Sequence, residues 1–511
     1  MFDFKKMTSP FTFQIAVQTA SADLSIRRSV GIFGAVGLLI FQLAACTVGP
    51  DYQKPSAPVI ASLAREPLGA LQTTRSDEIS ADWWTAYGSP RINLLVAQAL
   101  QHNPNVEAGL ANLRVAQEIV NAQRGLFFPQ VQAGYAATRQ NSGSVLAPPL
   151  NSGSTLFNLH TAQLNVGFVP DLFGGNRRQV ESLQASASGQ QYQLEAFKIT
   201  LASNVVAAAI AERFLSQQIE LTQDAIRVAG EQLKHLKGLS VAGYSSGMDV
   251  AQQQVAYVQT LALLPPLQKQ IEQTRNLLAV LCGQLPSQQL PGGVLNEIHA
   301  PAALPTVLPS SLVERRPDVQ AAQEQLHASH AQIGVATANM LPQLSLSASL
   351  VYNNNSLAGL LSNTSKSWGL LGGLTQPLFD GGALSARKRG AIAGAAAARA
   401  QYQSVVLVAF QNVADTLYAL ESDGRSLDAT REVELATQQL LGHTQRQFEQ
   451  GYSSRLVLLA AQQSLLQSQL SKIASQAAYL GDTVALYQSL GGGWHTSVAP
   501  VAAVDSLTEK P

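Results

Sequence analysis

Leu344-Ser345-Leu346-Ser347-Ala348-Ser349-Leu350 alternates apolar and hydroxyl side chains without a break. It begins directly after Pro342, which closes a helical run from Asp318 to Ala338. A period of two places the leucines on one face of a strand and the serines on the other. Ala162-Gln163-Leu164-Asn165-Val166-Gly167-Phe168 repeats the alternation, and Val131 to Arg139 and Trp368 to Thr375 follow it more loosely. Each strand is about ten residues, the length a tilted strand needs to cross a bilayer. The segments between them, Gln140 to Asn158 and Asn353 to Lys366, are rich in Ser, Asn, Gly and Pro and predict exposed loops.

Working outward from this strand, the chain proves to be written twice. Asn103-Pro104-Asn105-Val106 returns as Arg316-Pro317-Asp318-Val319, and Phe128-Pro129-Gln130-Val131 as Leu341-Pro342-Gln343-Leu344, both shifted by 213 positions. Pro170-Asp171-Leu172-Phe173-Gly174-Gly175 returns as Pro377-Leu378-Phe379-Asp380-Gly381-Gly382 at a shift of 207. Gly243-Tyr244-Ser245-Ser246 returns as Gly451-Tyr452-Ser453-Ser454, and Gly283 as Gly491, both at 208. Five anchors in register describe two copies of one unit. The expected divisions are a first repeat over 91–290, a Pro-containing linker over 291–312 and a second repeat over 313–494, with a C-terminal tail over 495–511.

After each Gly-Gly pair the apolar period becomes helical. Leu194, Phe197, Leu201, Val205 and Ala208 are spaced by three and four, as are Tyr402, Val406, Ala409, Val413, Leu417 and Leu420. No proline occurs from Asp171 to Leu264 or from Leu378 to Ala499. A helix over Asn176 to Ala242 would extend about 100 Å, beyond any ordinary domain diameter. Two separate bundles of broken helices are the alternative reading.

Of 511 residues, 46% are hydrophobic, but only 13% are charged, about half the usual share. Lys+Arg 33 balances Asp+Glu 33, so no global field recruits nucleic acid. The N-terminus places Lys5, Lys6, Arg27 and Arg28 before an apolar stretch, Val30 to Ala45, ending Leu43-Ala44-Ala45-Cys46. This is the order of a secretory signal over 1–45, and its end resembles a lipobox, with Cys46 taking the lipid and an extended anchored segment over 46–90. Thr47, not Asp, follows, which favours outer-membrane delivery. With Cys46 acylated, Cys282 has no partner and reads as a buried thiol.

Four strands cannot close a barrel, and open edges in lipid leave backbone groups unpaired at several kcal/mol each. Copies must therefore associate, two giving eight strands or three giving twelve with a wider lumen. Gln163, Asn165, Ser345 and Ser347 suit water inside such a ring. The residues thus describe an oligomeric conduit, mainly α with a transmembrane β part.

Leu308-Pro309-Ser310-Ser311-Leu312-Val313-Glu314-Arg315-Arg316-Pro317-Asp318-Val319 resembles a signature of the outer-membrane factors, the TolC-like channels of the NodT lipoprotein type. Ala331-Gln332-Ile333-Gly334-Val335-Ala336, Cys46-Thr47-Val48-Gly49-Pro50-Asp51-Tyr52 and Asp82-Trp83-Trp84 are similar to the same family, so the resemblance covers essentially the whole mature chain. It implies a homotrimer with a twelve-stranded outer-membrane β-barrel and a periplasmic α-barrel of long coiled-coil helices. It also implies docking to a periplasmic adaptor and an inner-membrane pump, often of the resistance-nodulation-division type. On this resemblance the protein is a passive exit duct for small molecules, held in outer-membrane lipid, with no cofactor and no catalysis. The aperture would form at the helical tips, with Tyr244, Asp249, Tyr452 and Arg455 as candidate residues. Val457 and Ala460 stand where related channels often carry Asp, which predicts weak cation preference.

Three motifs point elsewhere and are outweighed. Gly243-Tyr244-Ser245-Ser246-Gly247 matches a nucleophile elbow in letters, but helical patterns flank it on both sides. His327 and His330 are three apart and could share a metal, yet no third ligand accompanies them; a packed or solvated face is the plainer reading. Gly372-Gly373 and Gly381-Gly382 lack a phosphate-loop lysine. Two rival functions remain: an outer-membrane duct for type I secretion of polypeptides, and a periplasmic adaptor or coiled-coil protein without a pore. The duplicated strand pairs argue against the adaptor.

Overall fold

The computed structural model describes residues 47–55, 73–74, 79–141, 156–288, 290, 298–301, 304–305 and 315–494. Cys46, the segment 1–45, most of the linker 291–312 and the tail 495–511 lie outside the described residues. The first repeat contains α1 (Pro90–His102), α2 (Pro104–Arg124), β1 (Gln130–Asn141), β2 (Leu156–Phe168), α3 (Gly175–Val241), α4 (Gly247–Ala262) and α5 (Leu264–Leu281). The second contains α6 (Pro317–Ala338), β3 (Gln343–Asn354), β4 (Lys366–Thr375), α7 (Ala383–Glu449) and α8 (Arg455–Ser489). The strands run a little further into the expected loops than the alternation indicated. A short parallel pairing of Thr73 and Thr74 with Leu304 and Pro305 ties the N-terminal region to the inter-repeat segment.

Helices α3 and α7 each have 67 residues, so each runs about 100 Å. The broken-bundle alternative therefore fails for both outgoing arms. It holds locally in one return arm. α8 is continuous over 35 residues, whereas its counterpart is split at Leu263 into α4 and α5. Pro265 and Pro266 cause the split: neither has an N–H to donate to the preceding turn.

The helices stop by one device used four times. Gly243, Gly283, Gly451 and Gly491 have φ of +81°, +73°, +75° and +88°, a left-handed turn that glycine adopts without Cβ strain. At each stop the next N–H reaches back five residues: Tyr244 to Leu239, Gln284 to Ala279, Tyr452 to Gln447 and Gly492 to Tyr487, every one 2.8 Å. The 208-residue repeat in the sequence is thus a repeat of helix ends.

α3 is the hub, packed against α1, α2, α4, α5, α6 and α8, while α7 packs against α6 and α8. The main core joins Trp83, Tyr87, Leu95, Val96, Val205, Ala209, Leu278, Leu480 and Val484. Trp83 stacks on Tyr487 at 4.9 Å and the Tyr87 hydroxyl bonds Thr483 at 2.8 Å, which explains the Asp82-Trp83-Trp84 signature as a core plug. Cys282 lies in the same core, with Sγ 3.6 Å from the Leu95 carbonyl, and burial pushes its thiol up to about 11.

Candidate functional site

The four strands form one antiparallel sheet in the order β1-β2-β3-β4, so the two repeats join at the β2–β3 pair and both outer edges stay unpaired within the chain. The register sorts the sheet into rows. Leu344 faces Leu374; Val131, Val166, Ala348 and Leu370 align; then Ala133, Leu164, Leu350 and Trp368; then Tyr135, Ala162, Tyr352 and Lys366. Directly opposed residues share a face, so these rows form one apolar face that changes to aromatic and charged groups at its far end. From Leu344 to Tyr352, eight residues apart, these rows measure about 27 Å along the strands, and less when tilted. The opposite face carries Gln132, Gln163, Asn165, Ser345, Ser347 and Ser349. One face suits hydrocarbon and the other water, which is what a membrane-spanning β-barrel wall requires.

At the strand–helix junction lies a strap made of residues 47–55. Val48 N–H donates to Phe173 O at 3.2 Å, and Thr47 sits against Gly174, where an added Cβ would come within 2.9 Å. Gly49 (φ +101°) and Gly334 pack backbone to backbone: a Cβ on Gly49 would lie 2.6 Å from Gly334 Cα. The glycine in Ala331 to Ala336 is therefore required by the close approach of the strap. Arg178, buried, fixes it with Nη2 on Asp51 at 2.5 Å, Nη1 on Glu181 at 2.7 Å and Nε on Val48 O at 3.3 Å. Tyr52 stacks on His327 at 4.4 Å, and His327 reaches Glu324 at 3.4 Å and Glu181 at 3.1 Å. Glu324 foremost, with Glu181, raises the His327 pKa above its ordinary value against the effect of burial. The histidine pair is thus a packed face, and no metal-ligand cluster occurs among the described residues.

Arg316 shows the same structural logic in the other signature. Its guanidinium holds Asp318 through two bonds, at 3.0 and 2.7 Å, and donates to Ser489 O at 2.7 Å, so it clamps the start of α6 to the end of α8.

The opposite ends of the long helices carry the tips. Tyr244 and Tyr452 are 84% and 83% exposed, at equivalent positions just past the two glycine stops. Asp249 closes a capping box at the start of α4: its carboxylate accepts from Ser246 N–H at 3.0 Å and Ser246 Oγ at 2.8 Å, while its own N–H donates to Ser246 Oγ at 3.1 Å. Ser246, with Ser245 added, lowers the Asp249 pKa below the ordinary aspartate range. In the second repeat Val457 occupies this position, and Ser454 caps α8 without a returning carboxylate. Arg455 reaches across to the first repeat and pairs with Glu231 of α3 at 3.3 Å. A cleft of about 610 Å³ lies beside the first tip, lined by Leu236, Leu239, Tyr244, Asp249, Gln252 and Leu456 among others.

Comparison with known proteins completes this picture. Residues 95–284 and 308–492 match the outer membrane efflux protein family. The chain belongs to that family. Among relatives of this outer membrane efflux protein, the probable efflux pump outer membrane protein TtgC of Pseudomonas putida is 28% identical over 90% of this chain and 95% of its own. Nodulation protein T of Rhizobium leguminosarum bv. trifolii is 27% identical over 90% and 96%. The solved structure of the outer-membrane channel OprN superposes with a TM-score of 0.78 at 28% identity, covering 88% of this chain and all of that one. The protein is an outer-membrane efflux channel, and the two-faced sheet is its transmembrane wall. Gly243 to Gly247 is a helix-to-helix turn rather than a strand-to-helix elbow.

The glycine stops, Tyr244 and Tyr452 were legible in the sequence because the repeat doubles them. The Arg455–Glu231 pair and the capping role of Asp249 were not. The Ser246-x-x-Asp249 spacing is the local signal that could have located the second.

Proposed function

We propose that three copies close the sheet into a twelve-stranded barrel and that the long helices continue it as a periplasmic tube. This duct would carry small molecules passively, from an inner-membrane pump and a periplasmic adaptor to the outside. The observation that carries this reading is the two-faced sheet, unpaired at both edges, whose strands lead into two 67-residue helices. The flanks left open in one chain support closure by neighbours: Leu110, Val115 and Ile119 on α2, and Leu407, Val408 and Leu440 on α7, are exposed and apolar. Within the chain α6 fills the space between α3 and α7, and α2, packed chiefly on α3, is suited to the same place against a neighbour's α7. Each repeat, 91–290 and 313–494, then acts as one sixth of the ring.

Cys46 is the proposed lipid anchor. Its support is positional: the next residue, Thr47, lies against Gly174, six residues past the end of β2. At the other end, Tyr244, Asp249, Tyr452 and Arg455 form the proposed aperture, opened by outward movement of the tips. With Val457 in place of a second acid and Asp249 engaged by serines, the aperture has weak cation preference.

Planar-bilayer recording of purified protein tests the reading. Heat-modifiable trimers with stepwise conductance are expected. Monomeric migration without conductance would overturn it. Strong cation selectivity abolished by Asp249→Asn alone would refute the weak-preference part.

A further inference from the structure

The two repeats differ sharply where the sheet meets the long helices. In the first, Leu172 and Phe173 are partly covered and Phe173 holds the strap through Val48, while the basic residues that follow are neutralised: Arg177 by Asp171 and Arg178 by Asp51 and Glu181. In the second, the equivalent Leu378 and Phe379 are 94% and 93% exposed in the single chain. Arg387, Lys388 and Arg389 follow on α7, with Lys388 at the position that Glu181 holds in the first repeat. Among the described residues none of these three has a hydrogen-bond or ion-pair partner. No acidic residue occurs between Asp380 and Asp415, and Asp380 is itself spent on the helix start, accepting from Gly382 N–H at 2.8 Å and Leu384 N–H at 2.6 Å.

We propose that Leu378, Phe379, Arg387, Lys388 and Arg389 form a binding site for the phosphodiester headgroup of an anionic phospholipid in the periplasmic leaflet of the outer membrane. Position and chemistry agree. The apolar rows of the sheet end at Leu374, the exposed Leu-Phe pair comes four residues later, and the basic triplet begins on the fifth residue of α7. The triplet thus lies about 6–9 Å along the axis from the first residue of α7, on the periplasmic side of the exposed Leu-Phe pair and of a ~30 Å hydrocarbon core. Arginine and lysine stems can lie along apolar surface while their charges reach the phosphate. Clusters of Lys and Arg beside a spanning segment attract anionic lipid, and guanidinium forks match phosphate oxygens.

Native mass spectrometry of the full-length detergent-solubilised protein tests this with added phosphatidylglycerol or phosphatidylcholine. Wild type should retain phosphatidylglycerol over phosphatidylcholine by at least about fivefold, a preference that falls as salt rises from about 50 to 500 mM. R387Q/K388Q/R389Q should bring the ratio to about one, and K388Q alone should lower it in part. Arg431→Gln, on an exposed stretch of α7 far from the junction, should retain the wild-type preference. Equal retention of both lipids by wild type, or an undiminished preference in the triple variant, overturns the proposal. So does a triple variant whose lipid preference persists while its single-channel reversal potential moves, because the triplet would then face the lumen. If the triple variant fails to assemble, the salt dependence of wild type and the K388Q result decide.

Discussion

The two repeats have one plan and different burial. Their outgoing helices are the same length, yet α3 carries 23 buried residues and α7 nine. The cause is position in the chain: α3 has neighbours on both flanks, while among the described residues α7 packs chiefly on α6 and α8. The return arms differ in the opposite sense, with the first broken at Leu263 and the second unbroken. Sequence equivalence therefore predicts the shape of the outgoing helices but not their energetic weight.

The largest test of this contrast uses two glycines with one backbone conformation. Gly283 and Gly243 both stop helices at positive φ, but a Cβ on Gly283 would lie 2.2 Å from the His102 carbonyl oxygen, whereas nothing lies within 4 Å of one on Gly243. Gly283→Ala should cost about 3 kcal/mol or more, because α1 must shift. Gly243→Ala should cost only the left-handed backbone penalty of about 1 kcal/mol. Thermal unfolding followed by circular dichroism measures both, and equal costs would break the distinction between base and tip.

Next comes a pair 208 positions apart. Ile199 is 9% exposed and Leu407 is 67% exposed. Ile199→Ala should destabilise the chain by roughly 2–4 kcal/mol. Leu407→Ala should leave the chain's own fold intact and lower the temperature at which the oligomer separates on denaturing gels. A Leu407→Ala protein with unchanged oligomer stability would place that flank away from the neighbour.

A smaller effect belongs to the caps. Ser246→Ala removes a complete capping box and should cost about 1 kcal/mol, while Ser454→Ala, lacking the returning carboxylate, should cost a few tenths. Hydrogen exchange at the first turns of α4 and α8 reads the two separately. Acid sharpens the same comparison. The folded-state pKa of Asp249 is lowered, so its contribution is present above the unfolded aspartate pKa and is lost as pH falls through the folded value. Exchange should then quicken at the first tip and not at the second, where Val457 cannot titrate. The strap behaves with the reverse sign. His327 is raised, so its ion pairs hold the strap fully below the ordinary histidine pKa and weaken as pH rises through the folded value. Exchange at Val48 should quicken over that rise, and His327→Gln should flatten the profile.

Much of the fold was legible in local pattern. Strand alternation survives because one face meets hydrocarbon and the other water, and that demand acts residue by residue on β3 as on β2. Other features needed contacts between distant segments. Gly334 is plain in the sequence, but only the strap's Gly49 explains it. Arg316 stands out in the sequence as part of a repeated signature, and its clamp on Ser489 appears only when α8 returns to it. The break at Leu263 had a visible signal in Pro265-Pro266.

By itself the sequence determined the period of each element, the duplication and the helix stops, because these follow from backbone sterics and nearest-neighbour hydrogen bonds. Tertiary structure alone decided which repeat is buried, which charges are neutralised and that Arg455 pairs with Glu231. Burial and pairing depend on groups tens to hundreds of residues apart, and no local period records them.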